Sequence, residues 1–340
     1  MGGNSARIKL YGVVTGRSEG LTGGECAGDA IYVVSYREIS CLVSYTTDDE
    51  MVDKKSVLKE LLNYQSVMER FLQKYTVIPI KFGTRVETKE DVLRVLENGY
   101  AEFLKKLKAY EGMIEVDITA AWTDIVPITR KIAEEDAELK RLKDVVGVMP
   151  ANEVMAEKIK IGSLIKSALD RKRVEILHST LSYLTDSFVK AKKQEIIDDS
   201  DIFNCAFLIE KAGETAFFLR LDQLNLNFKE QLRFKCVSPL PPYAFCTFEV
   251  IKIGRDEVNK AKILLGVDEA VQLSKMKEIY LKKVLECHPD KDLENPGLES
   301  RFKELTEAYK VLSMVCNEQK RGLEAVESKN FFYVNQAKSA

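Results

Sequence analysis

The sequence predicts an α+β protein built from two modules and a small helical hairpin. Its 340 residues exceed what one hydrophobic core usually fills, which favours two or three domains. Short apolar segments of strand length alternate with longer segments whose apolar residues recur at helical spacing. A pair of amphipathic helices joined by a proline-containing loop follows near the C-terminus. The balance of 45% hydrophobic and 31% charged residues is typical of a soluble globular protein.

The first module is predicted from a run of strands interrupted by two helices. Its strands are expected at 7–14, 30–35, 39–45, 77–82 and 113–122, and its helices at 53–75 and 88–110. The glycine-rich residues 16–28 indicate a loop, and Thr88 followed by Glu90 and Asp91 marks the start of the second helix. This order suits a sheet with helices packed on one face, so we assign residues 1–124 to a ferredoxin-like α+β module.

Residues 125–255 are predicted to form a helical segment and then a second ferredoxin-like α+β module. The helical segment is expected at 129–193 with an interruption near 145–150, followed by strands at 202–209, 232–237 and 245–251 and a helix at 214–228. Two basic runs, 171–173 and 190–193, are interpreted as solvated helix faces, because acidic residues surround them and no aromatic residues are interleaved.

Composition argues against several classes of site and partner. The chain has seven cysteines without a CxxC pair and two histidines, His178 and His288, so we predict no metal site and no cofactor. The 51 Lys and Arg nearly balance the 53 Asp and Glu, which disfavours nucleic acid and anionic membranes as partners. We find neither the apolar core of a secretory signal nor an uncharged stretch of about 18 residues, and we expect a cytoplasmic protein.

Two amphipathic helices near the C-terminus flank a short polar motif. The apolar residues of the first helix are Leu273, Met276, Ile279, Tyr280, Val284 and Cys287, and those of the second are Phe302, Leu305, Ala308, Tyr309 and Leu312. Pro289 enforces the end of the first helix, so the loop between the helices presents His288, Pro289 and Asp290.

The run ILLGVDEAVQLSKMKEIYLKKVLECHPDKDLENPGLESRFKELTEAYKVLS resembles a J domain (DnaJ-like), which we place at residues 256–325. The resemblance implies that an Hsp70-type chaperone ATPase binds His288, Pro289, Asp290, Lys282 and Lys291. The helix before this motif is usually strongly basic in the family, whereas Leu281, Leu285 and Glu286 occupy part of its solvent face here. We expect these leucines either to pack on the rest of this chain or to mediate self-association, so the oligomeric state stays open.

The preceding residues are similar to the gas vesicle accessory proteins of the F and L type (GvpF/GvpL). The similarity rests on KLYGVVTG, VIPIKFGTRV, EGMIEVDITAAW, NCAFLIEK and SPLPPYAF. The motif residues, for which we expect a mainly structural role, are Tyr11, Gly12, Pro79, Phe82, Gly83, Thr84, Pro239, Pro241, Pro242, Tyr243 and Phe245. Ser238, Leu240 and Ala244 depart from the family's usual glycine, tryptophan and serine.

The two resemblances together imply a gas vesicle assembly protein that binds the small apolar shell protein, contacts other gas vesicle accessory proteins and recruits an Hsp70-type chaperone. The alternative is a general J-domain cochaperone whose α+β modules bind clients. An enzyme is not expected, because Cys287 and His288 are sequence neighbours at a helix end and do not face each other. The tail at 326–340 contains the apolar tetrad FFYV, which packs back on a module or contacts a partner.

Overall fold

The structure is a computed structural model that divides into two compact units. The first unit contains Met1–Ala109 and Cys246–Ala340, and the second contains Tyr110–Phe245. The residues that the structure describes are 7–16, 24–26, 29–46, 53–148, 154–196, 198, 200–228, 231–268, 271–287, 296–319 and 330–337.

The N-terminal part of the first unit is an antiparallel sheet with three helices. In chain order its elements are β1 (Arg7–Thr15), β2 (Gly24–Cys26), β3 (Asp29–Tyr36), β4 (Ile39–Thr46), α1 (Lys54–Leu72), β5 (Val77–Pro79), β6 (Arg85–Val86), α2 (Lys89–Asn98) and α3 (Tyr100–Ala109). The strand order is β2-β3-β4-β1-β5, and β6 pairs with β1. The α+β class predicted for this part is confirmed.

Local sequence signals explain where these helices begin and where one of them breaks. Asp53 caps α1 by accepting a 2.7 Å hydrogen bond from the amide of Ser56. A capping box between Thr88 and Asp91 starts α2. The single helix predicted at 88–110 is two helices separated by Gly99, where a Cβ atom would lie 2.4 Å from the Phe103 ring. The close approach of this ring therefore requires glycine at the break.

The second unit is a four-stranded antiparallel sheet with long helices. In chain order its elements are β7 (Met113–Trp122), α4 (Ile125–Glu135), α5 (Ala137–Val148), α6 (Val154–Tyr183), β8 (Lys190–Gln194), β9 (Asp201–Glu210), α7 (Glu214–Asn227) and β10 (Leu232–Leu240). The strand order is β10-β7-β9-β8. The strands predicted at 202–209 and 232–237 and the helix predicted at 214–228 are confirmed, with shifted ends.

Two features of this sheet correct the sequence predictions. β7, which we assigned to the sheet of the first module, pairs with β9 and β10 in the second. Alternating side chains identify a strand but not the sheet that it joins. The basic run 190–193 is not a helix face, because it lies in β8 and pairs with β9. Its lysines agree with an edge position, where charge discourages pairing with other chains.

The C-terminal part of the first unit is a helical module between two paired strands. Its elements are β11 (Phe248–Gly254), α8 (Arg255–Leu265), α9 (Leu273–Glu286), α10 (Pro296–Gln319) and β12 (Asn330–Gln336). The predicted hairpin of α9 and α10 is confirmed, and α8 is an additional helix that starts directly after β11. β12 contains the FFYV tetrad and pairs with β11 along seven residues, so the tail packs back on this chain.

The helical module shares its core with the strands that flank it. Ile253 of β11 and Phe331 of β12 belong to the buried cluster formed by α8, α9 and α10. The side-chain amide of Asn98 in α2 donates a 2.7 Å hydrogen bond to the carbonyl oxygen of Phe332. An ion pair of 2.7 Å between Lys252 and Glu87 adds a second link. Both ends of the helical module are thus attached to the N-terminal sheet and helices.

Candidate functional site

The aromatic motif residues of the first unit surround Tyr64 of α1. The Tyr64 ring stacks on Tyr11 at 5.8 Å and meets the edge of Phe82 at 5.5 Å between ring centroids. Its hydroxyl oxygen lies 2.6 Å from the carbonyl oxygen of Ile80 and 3.2 Å from that of Tyr11. Tyr11 and Phe82 therefore contribute to the packing between α1 and the sheet. Sequence reasoning did not single out Tyr64, although it lies on the apolar face of a predicted helix.

The Tyr11 hydroxyl lies in a polar niche inside the sheet. It donates a 3.1 Å hydrogen bond to Asp29 and lies 2.9 Å from the Ser44 hydroxyl. Burial raises the pKa of the Tyr11 phenol well above its usual range, so the hydroxyl stays protonated. This phenol is thus a hydrogen-bond donor that links β1 to Asp29 at the start of β3.

Gly12 and Pro79 lie opposite each other where β1 pairs with β5. A Cβ atom on Gly12 would lie 2.8 Å from the carbonyl oxygen of Ile78 and 3.0 Å from the end of Met68. Only glycine therefore permits β5 and α1 to approach β1 this closely. Pro79 is buried in the same strand pair.

Gly83 and Thr84 form the turn that follows β5. Gly83 has a φ of 83°, a left-handed conformation that glycine adopts without a steric penalty. The Thr84 hydroxyl donates a 2.6 Å hydrogen bond to the carbonyl oxygen of Lys81, which closes the turn. The amide of Leu10 donates to the carbonyl oxygen of Thr84 at 3.0 Å and attaches the turn to β1.

The proline-rich motif of the second unit forms the end of β10 and the compact turn that follows it. Pro239 follows a cis peptide bond, and Pro241 and Pro242 are buried. Tyr243 and Phe245 are half-buried, and their amides donate to the carbonyl oxygens of Pro241 and Pro242 at 2.6 and 3.2 Å. The motif thus bends the chain by backbone hydrogen bonds between its own residues.

A buried carboxyl group fastens this turn to the sheet. Glu115 of β7 is 1% exposed, and its Oε2 accepts a 2.8 Å hydrogen bond from the amide of Ala244. Burial, and then the neighbouring charge of Asp117, raise the pKa of Glu115 to about 8. Burial also raises the pKa of Asp117. Sequence reasoning missed Glu115, although a carboxylate within the apolar alternation of 113–122 was a visible signal.

Two of the departures from the family motif have defined contacts. The Ser238 hydroxyl donates a 2.6 Å hydrogen bond to Glu214 at the start of α7. Ala244 contributes its backbone amide to Glu115, and that contact does not depend on the side chain. Leu240 is buried at the end of β10.

The chaperone-binding residues predicted from the J-domain resemblance lie at and beyond the end of α9. His288, Pro289, Asp290 and Lys291 lie outside the described residues. Lys282 lies on α9 and is exposed. The neighbouring Lys283 instead donates a 2.9 Å hydrogen bond to the carbonyl oxygen of Leu264 at the end of α8.

The cysteines and His178 form no array suited to catalysis or metal binding in the described part of the chain. His178 is exposed on α6, and Cys287 is buried with its thiol 3.2 Å from the carbonyl oxygen of Lys283. Burial raises the pKa of Cys205 to about 11, which keeps its thiol protonated. Among the described residues, no three His, Cys, Asp or Glu side chains are grouped to hold a metal ion. None of the described helices is long and apolar enough to cross a membrane.

Comparison with protein families identifies both parts of the chain. Residues 8–247 match the model of the gas vesicle synthesis proteins GvpL/GvpF. The chain belongs to the GvpL/GvpF family. Residues 263–322 of this family member match the DnaJ domain, in agreement with the helices α9 and α10. Neither family is a family of enzymes.

Individual relatives agree with this division. Gas vesicle protein F of Microcystis aeruginosa is 27% identical over 188 residues, which cover 54% of this chain and 76% of the relative. The chaperone protein DnaJ of Salinibacter ruber is 48% identical over 50 residues, which cover 15% of this chain and 13% of the chaperone. The human DnaJ homolog subfamily C member 4 is 50% identical over 50 residues, which cover 15% of this chain and 21% of the homolog.

Solved structures agree on the fold. The crystal structure of GvpF from Anabaena sp. PCC7120 aligns with a TM-score of 0.60 at 21% identity and covers 71% of this chain and 98% of its own. The crystal structure of GvpF from Microcystis aeruginosa aligns with a TM-score of 0.56 at 19% identity, and the alignment covers 70% of this chain and 98% of that GvpF chain. The family member described here therefore has a GvpF-like fold extended by a J-domain region.

Proposed function

We propose that this chain is a gas vesicle assembly protein that binds the small apolar shell protein and brings an Hsp70-type chaperone to it through the J domain. It acts in the cytoplasm, at the vesicle surface or on an assembly intermediate, together with other gas vesicle accessory proteins. The J domain spans residues 256–325. ATP is hydrolysed by the chaperone, so this chain needs no cofactor.

The shared core between the J-domain helices and the flanking strands carries this proposal. β11 ends at Gly254 and α8 begins at Arg255, so no linker separates this strand from the helices of the module. Ile253 and Phe331 pack into the same buried cluster as the three helices. A fusion built this way supports a joint function, because a chaperone bound to the J domain is held beside the N-terminal sheet and helices of the first unit.

Shell-protein chemistry supplies the physical reason for such a fusion. A small apolar protein exposes surfaces that self-associate before they reach the growing shell. A binding protein that also recruits a chaperone raises the chaperone's effective concentration beside the shell protein. In this proposal His288, Pro289, Asp290, Lys282 and Lys291 contact the chaperone, and the GvpL/GvpF-type modules hold the shell protein.

Co-purification of the intact chain with the shell protein and the host Hsp70-type chaperone tests both halves of the proposal. His288→Gln removes the imidazole of the J motif, and His178→Gln is a matched control at an exposed position on α6. We expect all three proteins to retain the shell protein. Only the intact chain and the control are expected to retain the chaperone and to stimulate its ATPase.

Each failure of this experiment identifies a different error. If the chain retains the chaperone but not the shell protein, the gas vesicle function is wrong and the chain is a general J-domain cochaperone. Retention of the shell protein without His288-dependent ATPase stimulation would leave a gas vesicle protein whose J domain has lost its activity.

A further inference from the structure

The helix that leads into the J motif has one buried face and one exposed face of mixed character. Met276, Val284 and Cys287 of α9 are buried in the core of the helical module. On the opposite face Leu281 is 47% exposed and Leu285 is 63% exposed. Their i,i+4 spacing places the two side chains next to each other on the helix surface. Within the described part of the chain, both leucines are therefore largely exposed and not packed into the core of the helical module.

The leucine pair lies on the helix that leads into the J motif, so it is close in sequence to the chaperone contact of the proposed function. Leu285 precedes His288 by three residues, and one further turn of about 5.4 Å separates it from Leu281. A specific protein interface buries about 800 Å² on each partner and involves about 20 to 30 residues. Three motif residues cannot supply that area. A chaperone ATPase that contacts His288 must therefore also cover neighbouring exposed surface, of which the last turns of α9 are the nearest part in sequence.

The net charge on the exposed side of α9 is too small to attract the chaperone strongly. The exposed lysines Lys275, Lys277 and Lys282 stand beside the exposed glutamates Glu278 and Glu286. Lys275 forms a 2.9 Å ion pair with Glu278, and its hydrogen bond lowers the pKa of that carboxyl. Long-range steering by this face is therefore weak, since it depends on net charge and is screened by salt.

We propose that Leu281 and Leu285 form an apolar contact surface for the ATPase of an Hsp70-type chaperone, and that their burial replaces electrostatic attraction as the main stabilisation next to the J motif. The partner must present an apolar counter-surface there. This inference rests on the proposed function and adds which residues select the chaperone. It also implies that binding changes little with ionic strength.

Steady-state ATPase stimulation by the full-length chain, titrated against the host Hsp70-type chaperone at about 50 and about 300 mM salt, tests this inference. The principal variant is Leu281→Ser with Leu285→Ser. Its matched control is Leu219→Ser with Leu226→Ser, two α7 leucines that are 60% and 65% exposed. A third variant, Lys275→Gln with Lys277→Gln, measures the electrostatic contribution of two exposed α9 lysines outside the proposed contact set. His288→Gln reports whether stimulation uses the J motif.

We expect the α9 leucine variant to raise the half-saturating concentration by about tenfold or more, because serine lacks the apolar surface that each leucine buries when the chaperone binds. The α7 control should match the intact chain. The lysine variant should change the value by less than about threefold, and added salt should have a similarly small effect. Melting temperatures of all variants should agree, since the substituted leucines are exposed.

The outcomes separate the inference from the proposed function. Absence of His288-dependent stimulation by the intact chain overturns the proposed function itself. Stimulation that His288→Gln abolishes and the α9 leucine variant leaves intact overturns only the leucine surface. A steep loss of stimulation with salt does the same. Sedimentation gives a further outcome that overturns the leucine surface. If the intact chain is a dimer, and the α9 leucine variant is a monomer with unchanged ATPase stimulation, the leucines bind a second copy of this chain and not the chaperone.

Discussion

The side chain of Glu115 in β7 accepts a 2.8 Å hydrogen bond from the backbone amide of Ala244 in the proline-rich turn. The two residues are 129 positions apart in sequence. Because Glu115 is buried, this bond attaches the turn to the interior of the sheet. The stability of the second unit therefore depends on the protonation state of this carboxyl group.

Glu115→Gln is expected to stabilise the second unit at alkaline pH. The pKa of Glu115 rises from 4.5 to about 8 on folding, so its contribution to stability is fully present below about pH 4.5 and is lost as the pH rises through about 8. Glutamine keeps an acceptor for Ala244 and cannot ionise. We expect the free energy of unfolding of the variant to exceed that of the intact chain by about 4 kcal/mol at pH 8 and by less than about 1 kcal/mol at pH 5.

Urea unfolding at pH 5, 6.5 and 8 measures this difference through the fluorescence of Trp122, the single tryptophan of the chain. The control is Glu111→Gln at an exposed position just before β7. Equal pH dependence of Glu115→Gln and the intact chain would contradict the assignment. The charges that face Glu115 are Asp117 on its own strand, which raises the pKa of Glu115, and Lys192 on β8, which lowers it. Parallel measurements on Lys192→Gln report how much the lysine contributes.

Tyr64→Phe is expected to destabilise the first unit by about 1 to 2 kcal/mol. The substitution keeps the ring contacts with Tyr11 and Phe82 and removes the hydroxyl that bonds the carbonyl oxygen of Ile80. Thermal unfolding compared with Tyr32→Phe, a control at a half-exposed tyrosine, checks this. Equal effects of the two substitutions would show that the buried hydroxyl has no special role.

Gly12→Ala is expected to destabilise the first unit by about 2 to 3 kcal/mol or to prevent its folding. A methyl group would overlap the carbonyl oxygen of Ile78, which is backbone and cannot rotate away. Gly162→Ala on α6 is the matched control, since a Cβ atom there meets nothing within 4 Å. The control should gain up to about 1 kcal/mol from helix propensity. Unfolding midpoints in urea compare the two, and a neutral Gly12→Ala would contradict the close strand approach.

Phe331→Ala is expected to destabilise the J-domain helices by about 3 to 4 kcal/mol although residue 331 lies beyond the family's J-domain match. The ring is buried in the cluster of α8, α9 and α10, and its removal leaves a cavity. Hydrogen exchange of α9 and α10 amides measures the loss. Val237→Ala on β10, at a partly exposed position, is the control. Unchanged exchange in Phe331→Ala would mean that the J domain folds independently of β12.

Sequence reasoning recovered the elements whose signals are local. The apolar stripe of α1, the Thr88 cap of α2 and the alternation of β7 depend on spacing within one segment. The bounds of α1 and β7 and the start of α2 were therefore predicted closely, whereas the break between α2 and α3 was not. The motif residues Tyr11 and Phe82 were found by resemblance, but their shared neighbour Tyr64 was not. The partners of a side chain across a sheet belong to distant segments, so the residues next to that side chain in sequence do not predict them.

The sequence by itself determined the α+β class, the GvpL/GvpF and DnaJ assignments and the hairpin of α9 and α10, because propensity, periodicity and motif are properties of contiguous residues. The tertiary structure alone decided that β7 joins the second sheet, that 190–193 is the edge strand β8, and that the FFYV tail pairs with β11. Paired strands form backbone hydrogen bonds between segments that are distant in sequence. Which strand pairs with which is decided by the packing of the whole unit.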